Sequence, residues 1–170
     1  MNLFEAIKKR RSIRSFEEKE VLDDDLKKIL EMAIWAPSEG NLQPWKFYLV
    51  RDEDTKDRLT RAALNQRFLS QASVVIVVCA DFHATSPYGE RGINLYCLQS
   101  TAAAIQNMLL SAHALGLGAC WVGAFQEEEI KEILKLPDHL RPIALIPIGY
   151  PAESPPPRRR KDLSDVTVWG

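Results

Sequence analysis

A chain of 170 residues that is 46% hydrophobic and 26% charged, with a formal net charge of −1, is one globular domain with a sizeable core and not a disordered or fibrous chain. Its three cysteines, Cys79, Cys97 and Cys120, are odd in number and include no CxxC pair, which argues against a disulfide framework and for a reducing, cytoplasmic setting. The three histidines, His83, His113 and His139, sit in no HxxxH or Cys/His cluster, so no metal site is expected.

The N-terminal "MNLFEAIKKRR" puts Leu3, Phe4 and Ile7 on a short helix face running into basic residues, without the apolar centre of a signal peptide. Asp23 to Asp25 offer an N-cap and first-turn negative charge to a helix with Leu26, Ile29, Leu30, Ala33 and Ile34 at helical spacing. That helix must stop before Pro37. The stretch "APSEGNLQPW" (36–45) is turn chemistry repeated twice. "KFYLV" (46–50) reads as a strand, and 54–63 as a charged surface helix with Leu59, Ala62 and Ala63 inward. "SVVIVVCA" (73–80) is a β-branched run expected to be buried on both faces.

From Gly92 to Gln126 there is no Asp, Glu, Lys or Arg. Yet eight polar groups fall in the 23 positions from Ile93 to Leu115, too many for hydrocarbon, so no membrane span is expected. The reading is a helix over 93–115 in the middle of a core or a subunit interface. Gly116 and Gly118 end it. "ACWVGAF" (119–125) is the next expected strand, Glu127 to Leu134 a short helix, and "IALIPIGY" (143–150) the last core strand. "PAESPPPRRRK" (151–161) is a proline-stiffened arm, after which "LSDVTVW" (163–169) reads as an edge strand. No repeat or linker interrupts the chain: residues 1–170 form a single α+β domain with 151–170 as a C-terminal arm.

The small net charge hides an asymmetry. "KKRRSIR" (8–14) carries five basic residues and "RRRK" (158–161) four, and removing those nine leaves 13 basic against 23 acidic residues. A nucleic-acid binder spreads positive charge over a face, so nucleic acid is not expected. Two compact basic clusters at opposite ends of an acidic chain point to one anion pocket, provided the ends meet. Arg10, Ser12 and Arg14 alternate, which aims two guanidiniums and a hydroxyl to one side of an extended segment and suits a phosphate. "GLGAC" (116–120) is not a dinucleotide fingerprint, because Trp121 stands where the third glycine is needed and the motif follows a helix. With no Walker loop and no Ser–His–Asp or Cys–His set, the chemistry is expected from a cofactor held by side-chain cations and loop amides.

"RRSIR" (10–14), "APSEGNLQPW", "GACWVGAF" (118–125) after a long apolar helix, and "IPIGYP" (146–151) followed by "RRRK", in this order and spacing, resemble the FMN-dependent nitroreductase family. The resemblance spans essentially the whole chain. It implies a nitroreductase-like mixed central sheet flanked by helices, in an intertwined homodimer with FMN at the interface and the 93–115 helix at its centre. It also implies an NAD(P)H oxidoreductase passing a hydride through flavin N5 to an electron-poor acceptor (a nitroaromatic, a quinone or another flavin) by ping-pong turnover, with NADH or NADPH as donor.

Site residues follow from the same resemblance. Pro37, Ser38 and Asn41 would meet the partner's flavin, with Gln43, Pro44 and Trp45 anchoring the loop's return. Glu39 stands where the family usually has a second small polar residue, and its carboxylate would bias the charge of what is accepted. Arg10, Arg11 and Ser12, with Arg158 and Arg160, look like the phosphate site. Arg14 matches a cation at the flavin N1 edge, Asn65 or Gln66 a pyrimidine-edge amide, and the backbone of Gly123 and Ala124 the groups facing N5 and O4. No protein side chain is expected to be catalytic. Some relatives that run one-electron or oxygen chemistry place a Ser or Thr hydroxyl near N5; "WVGAF" (121–125) offers none, so two-electron transfer is expected. The short segment from Asp81 to Ile93 implies no long lid, and Phe82, Tyr88 and Trp121 either line the open pocket or pack. The alternatives are a deiodinase-like or flavin-fragmenting relative, a dehydrogenase of one metabolite, or a non-enzymatic flavin or anion carrier.

Overall fold

The computed structural model describes residues 2–170. Its elements in chain order are α1 (Leu3–Lys9), α2 (Asp23–Ile34), β1 (Trp45–Val50), α3 (Glu53–Ala62), α4 (Phe68–Gln71), β2 (Val74–Asp81), α5 (Gly89–Arg91), α6 (Cys97–Ala114), β3 (Gly118–Ala119), α7 (Glu127–Leu134) and β4 (Leu140–Gly149). The strands form one antiparallel sheet in the order β1-β2-β4-β3. Its mixed character rests on one parallel bridge, Ser12 to Ala119.

The β-branched run becomes the central strand β2, buried from Val74 to Ala80. Because strand side chains alternate, it feeds two cores at once. Val74, Ile76 and Val78 pack with Ile146 and Ile148 against Leu26, Ile29 and Ala33 of α2 and Ile105 and Met108 of α6. Val75, Val77 and Cys79 face the other way, onto Leu59, Ala62, Leu69 and Ile130 of α3, α4 and α7. The result is a sheet between two helical layers. No helix among the described residues is long and apolar enough to cross a membrane.

Several boundaries differ from expectation. The N-cap of α2 is Leu22, which makes no side-chain cap; the aspartates occupy the first turn, and Asp23 instead receives the Arg51 guanidinium at 2.6 Å. The long helix starts as an α-helix only at Cys97, after a π-turn over Gly92–Tyr96, a device that widens the helix by one residue per turn. The expected strand 119–125 shrinks to Gly118–Ala119 and a bridge from Val122 to Leu145. Pro147 explains the gap: the register Gly118–Gly149, Ala119–Ile148 and Val122–Leu145 sets Cys120 opposite a residue with no N–H to donate. Nor is 163–169 an edge strand. Leu163–Asp165 is a single 3₁₀ turn, and Val168 and Trp169 are 96% and 87% exposed. After the Phe16–Pro151 bridge, no residue of the arm pairs with a strand among the described residues.

Among the described residues, Lys56 is the one buried cation, 3% exposed. Its ammonium donates to the carbonyls of Ala72 at 2.8 Å and Ser70 at 3.3 Å and pairs with Glu53 at 2.7 Å, tying α3 to the end of α4. Lys56→Met keeps the aliphatic stem but leaves those carbonyls without a donor. The expected cost is about 1–3 kcal/mol, read as a fall in Tm of roughly 3–10 °C by circular dichroism.

Candidate functional site

The chain ends do meet. Ile13 N–H donates to the Ala119 carbonyl at 3.0 Å, docking the basic segment on the edge of β3. Gly118 permits this approach, since a Cβ there would lie 2.8 Å from Ile13 Cγ2. Alongside, Phe16 bridges Pro151 and Ala152 N–H donates to the Ser15 carbonyl at 2.9 Å, so the arm returns beside the N-terminal segment. Glu153 accepts from the Arg14 backbone N–H.

This juxtaposition crowds positive charge. Burial, then the charges of Arg160 and Arg11, lower the pKa of Arg10 below its ordinary value. A half-buried cation pressed by like charges is a site that gains from an anion. The Cys120 thiol lies beneath: burial raises its pKa, while Arg14, a hydrogen bond with Ser12, and Arg10 pull it back. Arg10, Ser12 and Arg14 therefore gather around Cys120 with the Glu153 carboxylate among them, and the exposed Arg160 acts on Arg10. Two expected members are disposed differently. The Arg11 guanidinium is taken up by the carbonyls of Lys8 at 2.7 Å and Arg10 at 2.9 Å, capping the end of α1. Arg158 is exposed and makes no hydrogen bond among the described residues.

Behind Arg10 a cavity of about 300 Å³ runs to His113, whose buried Nε2 has no partner. Burial, then Arg10, Arg11 and Lys9, push its pKa down. The unfolded chain thus binds this proton more readily than the folded one. The stability that neutral His113 contributes is complete above the ordinary value of about 6.5 and is lost as pH falls below it. Thermal unfolding scans from about pH 7 to 5 should show wild-type Tm falling more steeply than that of His113→Gln.

A second group forms at the other end of the segment that follows β3. Leu64 and Asn65 take positive φ of 57° and 58°, turning the chain sharply after α3. Gln66 Nε2 then donates to the carbonyls of Ala63 at 2.9 Å and Ala124 at 3.0 Å, locking that turn against Gly123–Ala124. Gln126 N–H adds a bond to Ala62 at 2.9 Å. The amides of Gly123 and Ala124 donate to no acceptor among the described residues, and the space above Gly123 is open. Asn65 is exposed, while the Gln66 amide is taken up by those two carbonyls.

The 37–45 loop bonds to neither group. Ser38 Oγ accepts from Gln43 N–H at 3.0 Å, and Gly40, Asn41 and Gln43 take positive φ. Pro37 and Asn41 are exposed. Glu39 turns back onto its own chain: Ser100 Oγ donates to Oε2, while Oε1 is buried without a partner. Beside it, Tyr88, Tyr96, Gln99 and Ser100 line a cavity of about 380 Å³. Tyr96 and Ser100 escaped the sequence reading because they lie in an uncharged run that reads as core. Trp121 is 39% exposed, and Phe82 is half-buried with its N–H on the His139 carbonyl.

A nitroreductase family model matches residues 7–66 and 60–150, which covers the basic segment, the 37–45 loop, the 64–66 turn, and β3 through β4. The chain belongs to the nitroreductase family. It is 33% identical over 192 aligned positions to an NADH dehydrogenase of Thermus thermophilus, covering 96% of this chain and 94% of that one. An FMN reductase (NADPH) of Bacillus subtilis is 28% identical, with 89% of this chain and 66% of that one aligned. A crystal structure of a nitroreductase family protein from Clostridium novyi superposes with a TM-score of 0.83 at 36% identity, over 97% and 91% of the two chains. Like other nitroreductases, this chain is an oxidoreductase with an α+β fold.

Proposed function

We propose that this nitroreductase is an FMN-dependent NAD(P)H oxidoreductase of the reducing cytoplasm, acting as a homodimer on an electron-poor acceptor such as a nitroaromatic, a quinone or a flavin. The observation that carries this reading is the pairing of two groups at the ends of one segment: cations converging on Ser12, and free amides at Gly123 and Ala124. The donor set fits a mononucleotide, since guanidiniums suit a phosphate and outward amides suit the polar edge of a heterocycle.

Arg10, Ser12 and Arg160 would hold the phosphate. Arg14 would sit by the ring edge where negative charge accumulates, and Asn65 by the pyrimidine edge. When bound, FMN supplies the hydride relay between nicotinamide and acceptor. The chain positions the reactants and offers no obligatory acid or base. Donor and acceptor would share one open face above Gly123, which is the physical basis of ping-pong order. Residues 121–125 place no hydroxyl there, which favours two-electron transfer.

Support for the dimer comes from apolar surface that one protomer leaves bare. Phe4 is 74% and Trp35 79% exposed, and Val168 and Trp169 project from the arm. A second copy would cover these side chains and deliver its Pro37, Ser38 and Asn41 to the site that their own chain does not reach. Sedimentation should find a dimer, and deletion of 163–170 should weaken it.

The test is the visible absorption spectrum of the purified protein before and after anaerobic NADH and NADPH. A flavin spectrum that bleaches is the expected result. A colourless protein that takes up no added FMN overturns the reading, and a bound flavin that stays oxidised makes the chain a carrier.

A further inference from the structure

His113 is the titratable group beside the phosphate site to which flavin binding gives no role. It stands on the last turn of α6, and its Nε2 is enclosed by its own chain without a hydrogen-bond partner among the described residues. The cavity of about 300 Å³ is lined by His113 together with Lys9, Arg10, Arg11 and Glu153, so the imidazole and the candidate phosphate site share one interior.

The charges in that interior do not balance. α6 itself supplies none, since Gly92 to Gln126 contains no Asp, Glu, Lys or Arg. Lys9 enters from the end of α1, Arg10 and Arg11 from the basic segment, and Glu153 from the arm. Lys28 and Glu31 of α2 line a different cavity with Leu110, Ser111 and Ala114, on another face of the helix. Burial first, and then the three cations, disfavour an imidazolium in the empty site. A phosphate monoester seated on Arg10 brings up to about two negative charges, which offsets that repulsion.

We infer that His113 is a proton-linked determinant of phosphate recognition: its imidazole takes up a proton from solvent when a dianionic group seats on Arg10, and the imidazolium then holds that group more tightly. No bond of the ligand changes, and no ligand atom has to reach Nε2, because the coupling runs through the field of the charges. Nor does a second subunit packed on α6 touch that nitrogen, which one chain already encloses. By reciprocity, if the dianion favours the imidazolium, the dianion binds more tightly as pH falls through the range in which His113 titrates. The same flavin without its phosphate gains nothing from it. The inference rests on the FMN reading only in taking the natural dianion to be the flavin phosphate.

The test is an imidazole NMR titration on the full chain after removal of any bound flavin. His83 and His139 stack at 4.3 Å and identify each other, which leaves the third resonance to His113. The probes are FMN and inorganic sulfate, a dianion that does not titrate between about pH 5 and 8 where histidine does, with chloride at equal ionic strength as the control. The His113 midpoint is expected at higher pH with FMN and in sulfate than in chloride, and to stay in place in Arg10→Ala. Sulfate affinity, read by calorimetry, should rise on the order of five-fold from about pH 7.5 to 5.5 in wild type and stay nearly level in His113→Gln. A wild-type midpoint that is the same in sulfate and chloride overturns the inference, even if neither variant folds. An equal gain in sulfate affinity in wild type and His113→Gln overturns it too. A colourless protein whose His113 midpoint follows sulfate refutes the flavin reading alone, and a bleaching flavoprotein whose midpoint ignores both anions refutes this inference alone.

Discussion

Arg10→Ala is expected to leave the protein nearly free of flavin after purification, with the FMN Kd raised on the order of 100-fold. The reason lies in what surrounds the guanidinium. It is partly desolvated and faces Arg160 and Arg11, so its free energy in the empty protein is raised by burial and repulsion. A phosphate relieves both, and two charge-assisted bonds at about 1.5 kcal/mol each, the low end of their usual range, account for the loss. The same argument gives a second, opposite sign. Removing the charge relieves repulsion, so the apoprotein of Arg10→Ala should be at least as stable as wild-type apoprotein. Arg158→Ala should change the Kd by only about two- or three-fold, as an exposed side chain without a partner does. The flavin-to-protein absorbance ratio and a fluorescence titration read the affinities, and thermal scans read the stabilities. An Arg10→Ala protein that keeps its flavin would place the phosphate elsewhere.

Gly118→Val is expected to cost both stability and flavin. The new side chain would start 2.8 Å from Ile13 Cγ2 and 2.9 Å from Ile13 Cβ. Ile13 is branched at Cβ and buried at 8% exposure, so it cannot swing aside as a long flexible chain would. The strain must instead be relieved by lifting the 10–14 segment off β3, which breaks the Ile13–Ala119 bond. Overpacking of this kind costs about 1–3 kcal/mol, a fall in Tm of roughly 3–10 °C. Flavin affinity should fall with it, because Arg10 and Ser12 ride on the displaced segment. Gly123→Ala is the contrast: its Cβ meets nothing within 4 Å, so Tm should hold. Any loss of flavin in that variant then reports the ligand's own occupancy of the space.

Local patterning already determines much of this protein. The β-branched run at 74–80 had one stable place, the middle of a sheet covered on both sides, and it took it. The helices at 23–34 and 127–134 follow from apolar spacing and a stop signal, which act within a few turns of chain. Two basic clusters in an acidic chain, and the ordered motifs of the nitroreductase family, were likewise legible without coordinates. Tertiary structure decided the rest, because it depends on which residues oppose each other across the fold. Pro147 cut β3 short only because register sets it across from Cys120, and no local property of 119–125 announces that. Arg11 and Arg10 are neighbours of equal propensity, yet one caps α1 and the other faces Arg160. Gln66 braces the Ala124 carbonyl while Asn65 stays outside. Glu39 finds Ser100, sixty-one residues away, and loses its water there. Sequence sets which groups are available; burial and non-local geometry set which of them are left unpaired, and those are the ones that can bind.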